Sequence, residues 1–236
     1  MNINFKIFSE NEIVETYNKY VKKDSSYYSK SNDEYFKLSQ SEKDKFFNID
    51  FPRVASIFDF KEWIGKYNLK NVSSLLSTYK DDYELEYIDC ESITYCEYGK
   101  NGENDLHTLN LNKKDFDFII FNQTLEHLYN PFVCLKNLLD HLKPGGYLYT
   151  TVPTINIPHM VPFHFWGITP IGLCMLGRSV GFQICECGYW GNYEYLGHIF
   201  THGGWPNNQD VMDDNGVIKN IDLCQSQTWV LLQKPE

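Results

Sequence analysis

The sequence predicts an α/β fold: an open, mostly parallel sheet flanked by helices. Two observations carry that prediction. The first is the stretch 116–153, FDFIIFNQTLEHLYNPFVCLKNLLDHLKPGGYLYTTVP. An apolar strand (116–121) runs into a polar bend (122–127), a helix, a Lys143-Pro144-Gly145-Gly146 break and a second apolar strand (147–152). In the helix Asn130 suits the cap and Pro131 the first turn. Phe132, Leu135, Leu138, Leu139 and Leu142 fall on one face. Two apolar strands joined by one amphipathic helix make a right-handed crossover between parallel strands. The second observation is that strand-like runs recur on both sides of this unit: 72–77, 84–89, 105–111, 183–189 and 228–233. With the central pair they make seven strand candidates.

Taken in order, residues 1–68 read as a mostly helical extension. Ser9-x-x-Glu12 is a capping box, followed by Ile13, Tyr17, Tyr20 and Val21 at helical spacing. A polar Tyr-, Ser- and Lys-rich segment follows. Pro52 then opens another helix with Val54, Ile57, Phe58 and Ile64 inward. The first strand and its following turn, Asn71–Lys80, contain no Gly. Glu84–Asp89 alternates polar and apolar residues, as a second strand ending in an acid would. Residues 91–104 form a polar connection, and Asp105–Leu111 alternates again as a third strand. Residues 154–166, rich in Pro, His and aromatics, suit a loop over a pocket. Thr169, Pro170 and Gly181 mark the start and end of another helix. The domains are accordingly 1–68, a helical extension or cap, and 69–236, the α/β unit.

Composition narrows the function classes. The 236 residues suffice for one α/β domain with additions. A net charge of −10 argues against a nucleic-acid backbone as partner, since phosphate contacts need clustered Lys and Arg. Seven Cys without a CxxC pair favour reduced thiols and a cytoplasmic location. No signal peptide opens the chain, and no apolar run approaches the roughly 20 residues of a membrane helix. His159-x4-His164 and His198-x3-His202 have loosely metal-compatible spacings. Nothing in the sequence supplies a clear third ligand, so no metal is expected. There is no Gly-x-Ser-x-Gly, no Cys beside a His and no P-loop.

The pattern FDFII…EHL…NP…L…LKPGGYL…VP resembles the second half of the class I S-adenosylmethionine-dependent methyltransferases. The similarity continues through Thr169-Pro170-Ile171-Gly172-Leu173 and Gly181-Phe182 and covers about residues 70–235. It is closest to the branch with a W-x-x-T-P-x-G-L segment, common among methyltransferases of saccharides and small molecules. The resemblance implies a Rossmann-like seven-stranded sheet whose last hairpin is antiparallel. It implies S-adenosylmethionine as cofactor, with Asp89 on the ribose hydroxyls, Asp105 and Leu106 at the adenine, and Asn122 and Gln123 at the methionine end. His127, His164 and His159 are the candidate catalytic bases. Glu126, Phe163 and Trp166 are candidates for holding a small-molecule or saccharide acceptor. The chain departs from the family pattern at Val72–Lys80, where a Gly-rich cofactor loop is expected. The connection from Ser77 to Asp89 is also short, so the helix after the first strand should be truncated or absent. That departure carries the alternative: a non-catalytic pseudo-methyltransferase serving as a binding or scaffold subunit. Acceptor identity and oligomeric state stay open.

Overall fold

The computed structural model describes residues 5–99 and 102–236. Residues 1–4 of the predicted extension and 100–101 of the predicted polar connection lie outside the described residues. Four helices open the chain: α1 (Glu10–Thr16), α2 (Ser25–Lys37), α3 (Gln40–Phe46) and α4 (Phe51–Lys66). The Ser9–Glu12 capping box forms with both of its reciprocal bonds. Val21 is buried as expected, whereas Ile13 and Tyr17 are 39% and 40% exposed. The strands are β1 (Asn71–Ser77), β2 (Asp89–Tyr95), β3 (Phe116–Asn122), β4 (Leu142–Pro153), β5 (Gln183–Trp190) and β6 (Gln227–Gln233). Between them lie α5 (Pro131–His141), α6 (Pro170–Val180) and α7 (Tyr193–His202).

The six strands form one sheet in the order β2-β1-β3-β4-β6-β5. β2, β1, β3 and β4 pair in parallel, and β6 runs antiparallel to both β4 and β5. Successive side chains of a strand point to opposite faces, and the central strands are apolar on both. Phe116, Ile119 and Phe121 join Leu148 and Val152 against α5 and α6. Phe118, Ile120, Tyr149 and Trp229 pack against α4 through Ile57, Phe60 and Ile64. α4 thus belongs to the same core as the sheet. Cys185 and Cys187 face opposite sides of the sheet, in different clusters, and all seven cysteines are free.

Three predictions are corrected. The sheet has six strands among the described residues, because Asp105–Leu111 is not a strand. The Asp105 carboxylate accepts from the His107 backbone N–H (2.9 Å), and the Asp105 carbonyl accepts from Thr108 N–H (2.9 Å), which turns the chain. Its apolar periodicity reflects packing: Leu106 and Leu109 are buried in the α5-side core. Second, Tyr83–Tyr87 is a 3-10 turn, and the second strand begins where the predicted one ended, at Asp89. The helix that the family pattern places after β1 is absent, as the short Ser77–Asp89 connection predicts. Third, Phe132 is not inward but lies half out of α5 against Phe5, with ring centroids 4.9 Å apart. Among the described residues no helix is long and apolar enough to cross a membrane.

Candidate active site

The parallel strands β1, β3 and β4 end on one side of the molecule, and a cavity of about 1090 Å³ opens there. Open α/β sheets place ligands beyond their strands' carboxyl ends. One end of the cavity is walled by the β1 turn (Thr78, Tyr79, Asp82), the end of β2 (Cys96, Glu97) and the Asp105–His107 turn. The other is walled by Glu126, His127 and the loop 154–169, with Trp205 closing over it.

The sequence-nominated residues divide as follows. Asp105, Leu106, Asn122, Gln123, Glu126, His127, His159 and Phe163 line the cavity. Asp89 does not. It is exposed at the start of β2, one strand length from the carboxyl ends, because the parallel register sets Asn71 against Asp89 and Ser77 against Tyr95. The acid at the functional end of β2 is Glu97, whose carboxylate accepts from Lys80 N–H at 2.9 Å. The β-branched and aromatic run Ile93-Thr94-Tyr95 immediately before it was the available strand signal. Trp166 is tied back through its indole N–H to the Leu128 carbonyl (2.8 Å) and stands outside the cavity wall. His164 also lies outside the wall, behind His159.

Arg53 was not nominated. It reaches from α4 to the strand ends, buried, and donates to Thr151 Oγ1 (2.9 Å), Asp82 (3.0 Å) and Glu84 (2.7 Å). Burial pushes Glu84 up to about 7 and also raises Asp82, against the pull of the guanidinium. Nothing in the local sequence marks this group: Arg53 lies about 30 residues from its acidic partners, inside an apolar helix. Gln123 adopts φ 46°, and its side-chain amide donates to Thr151 Oγ1 (3.1 Å), fixing the bend after β3.

The acceptor end is a cluster of imidazoles around a buried acid. Glu126 is fully buried, and neither carboxylate oxygen has a hydrogen-bond partner. Burial pushes it up to about 8. Its oxygen lies 3.7 Å from His127 Nε2 and 3.9 Å from His159 Nε2. Three bonds pin the loop across the bend: Phe165 N–H to the Glu126 carbonyl, His127 Nδ1 to the Phe163 carbonyl, and the Trp166 bond above. Burial lowers His127 and His164 below the ordinary imidazole value, with neighbouring imidazoles pushing the same way. Besides Glu126, three other buried polar atoms on cavity residues have no partner: Thr78 Oγ1, Asn122 Oδ1 and Gln227 Nε2. Buried polar groups ordinarily find partners, so this concentration around one cavity marks a ligand site.

Residues 90–176 match the family model of a methyltransferase domain. No curated protein matches the sequence. Among solved structures, a candidate methyltransferase from Bacillus halodurans superimposes with a TM-score of 0.52 at 10% identity, over 76% of this chain and 100% of that one. The Burkholderia thailandensis 1,6-didemethyltoxoflavin-N1-methyltransferase, solved with 1,6-didemethyltoxoflavin and S-adenosylhomocysteine, superimposes with a TM-score of 0.51 at 11% identity, over 98% of this chain and 92% of that one. At such identities the likeness is one of fold. The chain therefore carries a methyltransferase-domain match over residues 90–176 and shares the fold of these methyltransferase structures.

Proposed function

We propose that the protein is an S-adenosylmethionine-dependent methyltransferase acting on a hydroxyl of a small molecule, with a saccharide as the favoured acceptor class. The observation that carries this reading is the two-ended cavity at the strand ends, ringed by buried polar atoms without partners. The cofactor-side residues fit the group. Glu97, at the end of β2, offers a carboxylate to a pair of ribose hydroxyls. Leu106 offers an apolar face and Asp105 an acceptor for an amino-purine. Arg53 and Asp82, side by side, complement the carboxylate and ammonium of an amino acid. Asn122 Oδ1 has a free acceptor position beside them. When bound, the cofactor supplies an electrophilic methyl group for in-line displacement.

This chain's contribution is then to position and to manage protons. The aromatic walls, Phe163 and Trp205, suit the flat apolar face of a sugar or similar ring. His127 and His164, whose proton affinity burial lowers, and His159 packed between them are the groups placed to receive the proton of an acceptor hydroxyl. The Gly-free β1 turn supports a second reading, a scaffold subunit that lacks methyl transfer. Titration calorimetry with S-adenosylhomocysteine separates the two. Saturable binding is expected in the wild type, weakened about tenfold in Glu97→Ala and unchanged in Asp89→Ala, given about 1.5–3 kcal/mol for hydrogen bonds to a charged group. Absence of binding at millimolar ligand sinks the enzyme reading.

A further inference from the structure

We infer that Glu126, His127 and His159 form a binding site for one divalent first-row transition cation, such as Zn²⁺, Fe²⁺ or Mn²⁺, on the acceptor wall of the cavity. The argument starts from the tautomers. His127 Nδ1 sits 2.7 Å from the Phe163 carbonyl, which can only accept, so Nδ1 carries the proton and Nε2 is a bare lone pair. His164 Nδ1 accepts from the His159 backbone N–H (3.3 Å). His159 Nδ1 faces two acceptors, the Ile157 carbonyl and that same His164 nitrogen, each at 3.1 Å. It must therefore be the donor, and His159 Nε2 is bare as well.

Both bare nitrogens point at the Glu126 carboxyl group, which is fully buried and has no hydrogen-bond partner on either oxygen. Separations of 3.7 and 3.9 Å are too long for hydrogen bonds. They are close to the spacing of two ligand atoms sharing one ion, about 3.4–3.6 Å for bonds of roughly 2.1 Å at tetrahedral to trigonal angles. The three ligand atoms all lie within 4.8 Å of one another.

The surroundings are those of a built site. Each imidazole donates its remote N–H to a carbonyl or a second ring, the arrangement that orients metal-bound histidines. The Phe165–Glu126 backbone bond (2.8 Å) holds the loop bearing His159 over the bend bearing the other two ligands. Two nitrogens and one oxygen favour a borderline transition metal over Mg²⁺ or Ca²⁺, which want oxygen. Three protein ligands leave further positions open toward the cavity. An oxygen of the small-molecule acceptor is suited to fill one of them. With the ion bound, the Nε2 lone pairs of His127 and His159 are occupied, so the ion rather than these rings would lower the proton affinity of the acceptor hydroxyl. That role rests on the methyltransferase reading, whereas the ion site itself does not.

The test is a titration of tag-free, chelator-stripped protein with Co²⁺, followed by visible absorption, and with Zn²⁺, followed by calorimetry. One ion per chain is expected, with affinity reduced at least about tenfold in His159→Ala and in Glu126→Gln. His198→Ala, which breaks the His198–His202 ring pair on α7, should leave that site unchanged. Near-UV circular dichroism checks that each variant is folded; His159 lies on a loop, so its variant keeps the test decisive if Glu126→Gln unfolds. The inference is overturned by no saturable binding at micromolar metal, by full binding in folded His159→Ala, or by loss of the site in His198→Ala. S-adenosylhomocysteine calorimetry on the same samples reports separately. Cofactor without metal removes the ion site alone, and metal without cofactor removes the methyltransferase reading alone.

Discussion

At the scale of single residues, the desolvated Arg53–Asp82–Glu84 group sets a pH dependence opposite to ordinary acid denaturation. One guanidinium serves two buried carboxyl groups, and burial holds the Glu84 proton up to about 7. A carboxyl group that binds its proton more tightly in the folded state contributes stability that is fully present below its unfolded value, about 4.3. That stability is lost as pH rises through about 7. Urea unfolding should therefore show this contribution falling between pH 5 and pH 8, and Glu84→Gln should flatten the fall. An unchanged slope in the variant would contradict the assignment. The same scale shows how far the sequence reached into the site. Glu126, His127 and His159 were legible because the Glu-His pair and the His-rich loop flank recognisable strand ends. Glu97 was missed because Glu84–Asp89, with its polar–apolar alternation, competes as a strand with the run that pairs.

At the scale of elements, α7 and the turn before it give a paired prediction about glycine. Gly197 lies inside α7, and a Cβ there would meet nothing within 4 Å. Gly197→Ala should stabilise the protein by about 0.5–1 kcal/mol, the helix-interior difference between the two residues, read as a higher Tm. Gly191, between β5 and α7, is the opposite case: a Cβ would come within 1.6 Å of the Cys224 carbonyl oxygen and 2.6 Å of Ser226 N. Gly191→Ala must displace backbone on both sides. It should lower Tm well beyond any surface substitution, by several degrees for each kcal/mol lost. Helices α1, α5 and α6 were read from sequence because their caps are chemical: Ser9, Asn130 and Thr169 each accept from the first turn. Asp105–Leu111 was misread because alternation of Leu106, Leu109 and Leu111 records one-sided packing, and pairing leaves no separate mark.

At the scale of the whole molecule, the sheet has two apolar faces and each needs a cover. α5 and α6 cover one, and α4 covers the other with Ile57 and Phe60 fully buried. Burying such a side chain contributes about 1.5–3 kcal/mol, so losing four or five of them removes a margin comparable to the whole stability of a domain, about 5–15 kcal/mol. A chain beginning at Leu69 should therefore show no cooperative thermal transition and no near-UV dichroism. A cooperative transition in that fragment would mean that α4 is dispensable to the fold. Arg53, on the same helix, reaches the strand ends, so α4 serves both core and site.

The sequence by itself determined the class of fold and one wall of the cavity. Strand hydrophobicity, helix caps and the Phe116–Pro153 crossover are local, and local chemistry is legible in order along the chain. Tertiary structure alone decided the rest. It set Glu97, and not Asp89, on the cavity wall through the β1–β2 register and brought Arg53 against acids about 30 residues away. It also set His159 beside Glu126 through a loop pinned at Phe163 and Phe165. These contacts arise from which faces the two cores bury and which strand ends align, and no short window of sequence contains either constraint.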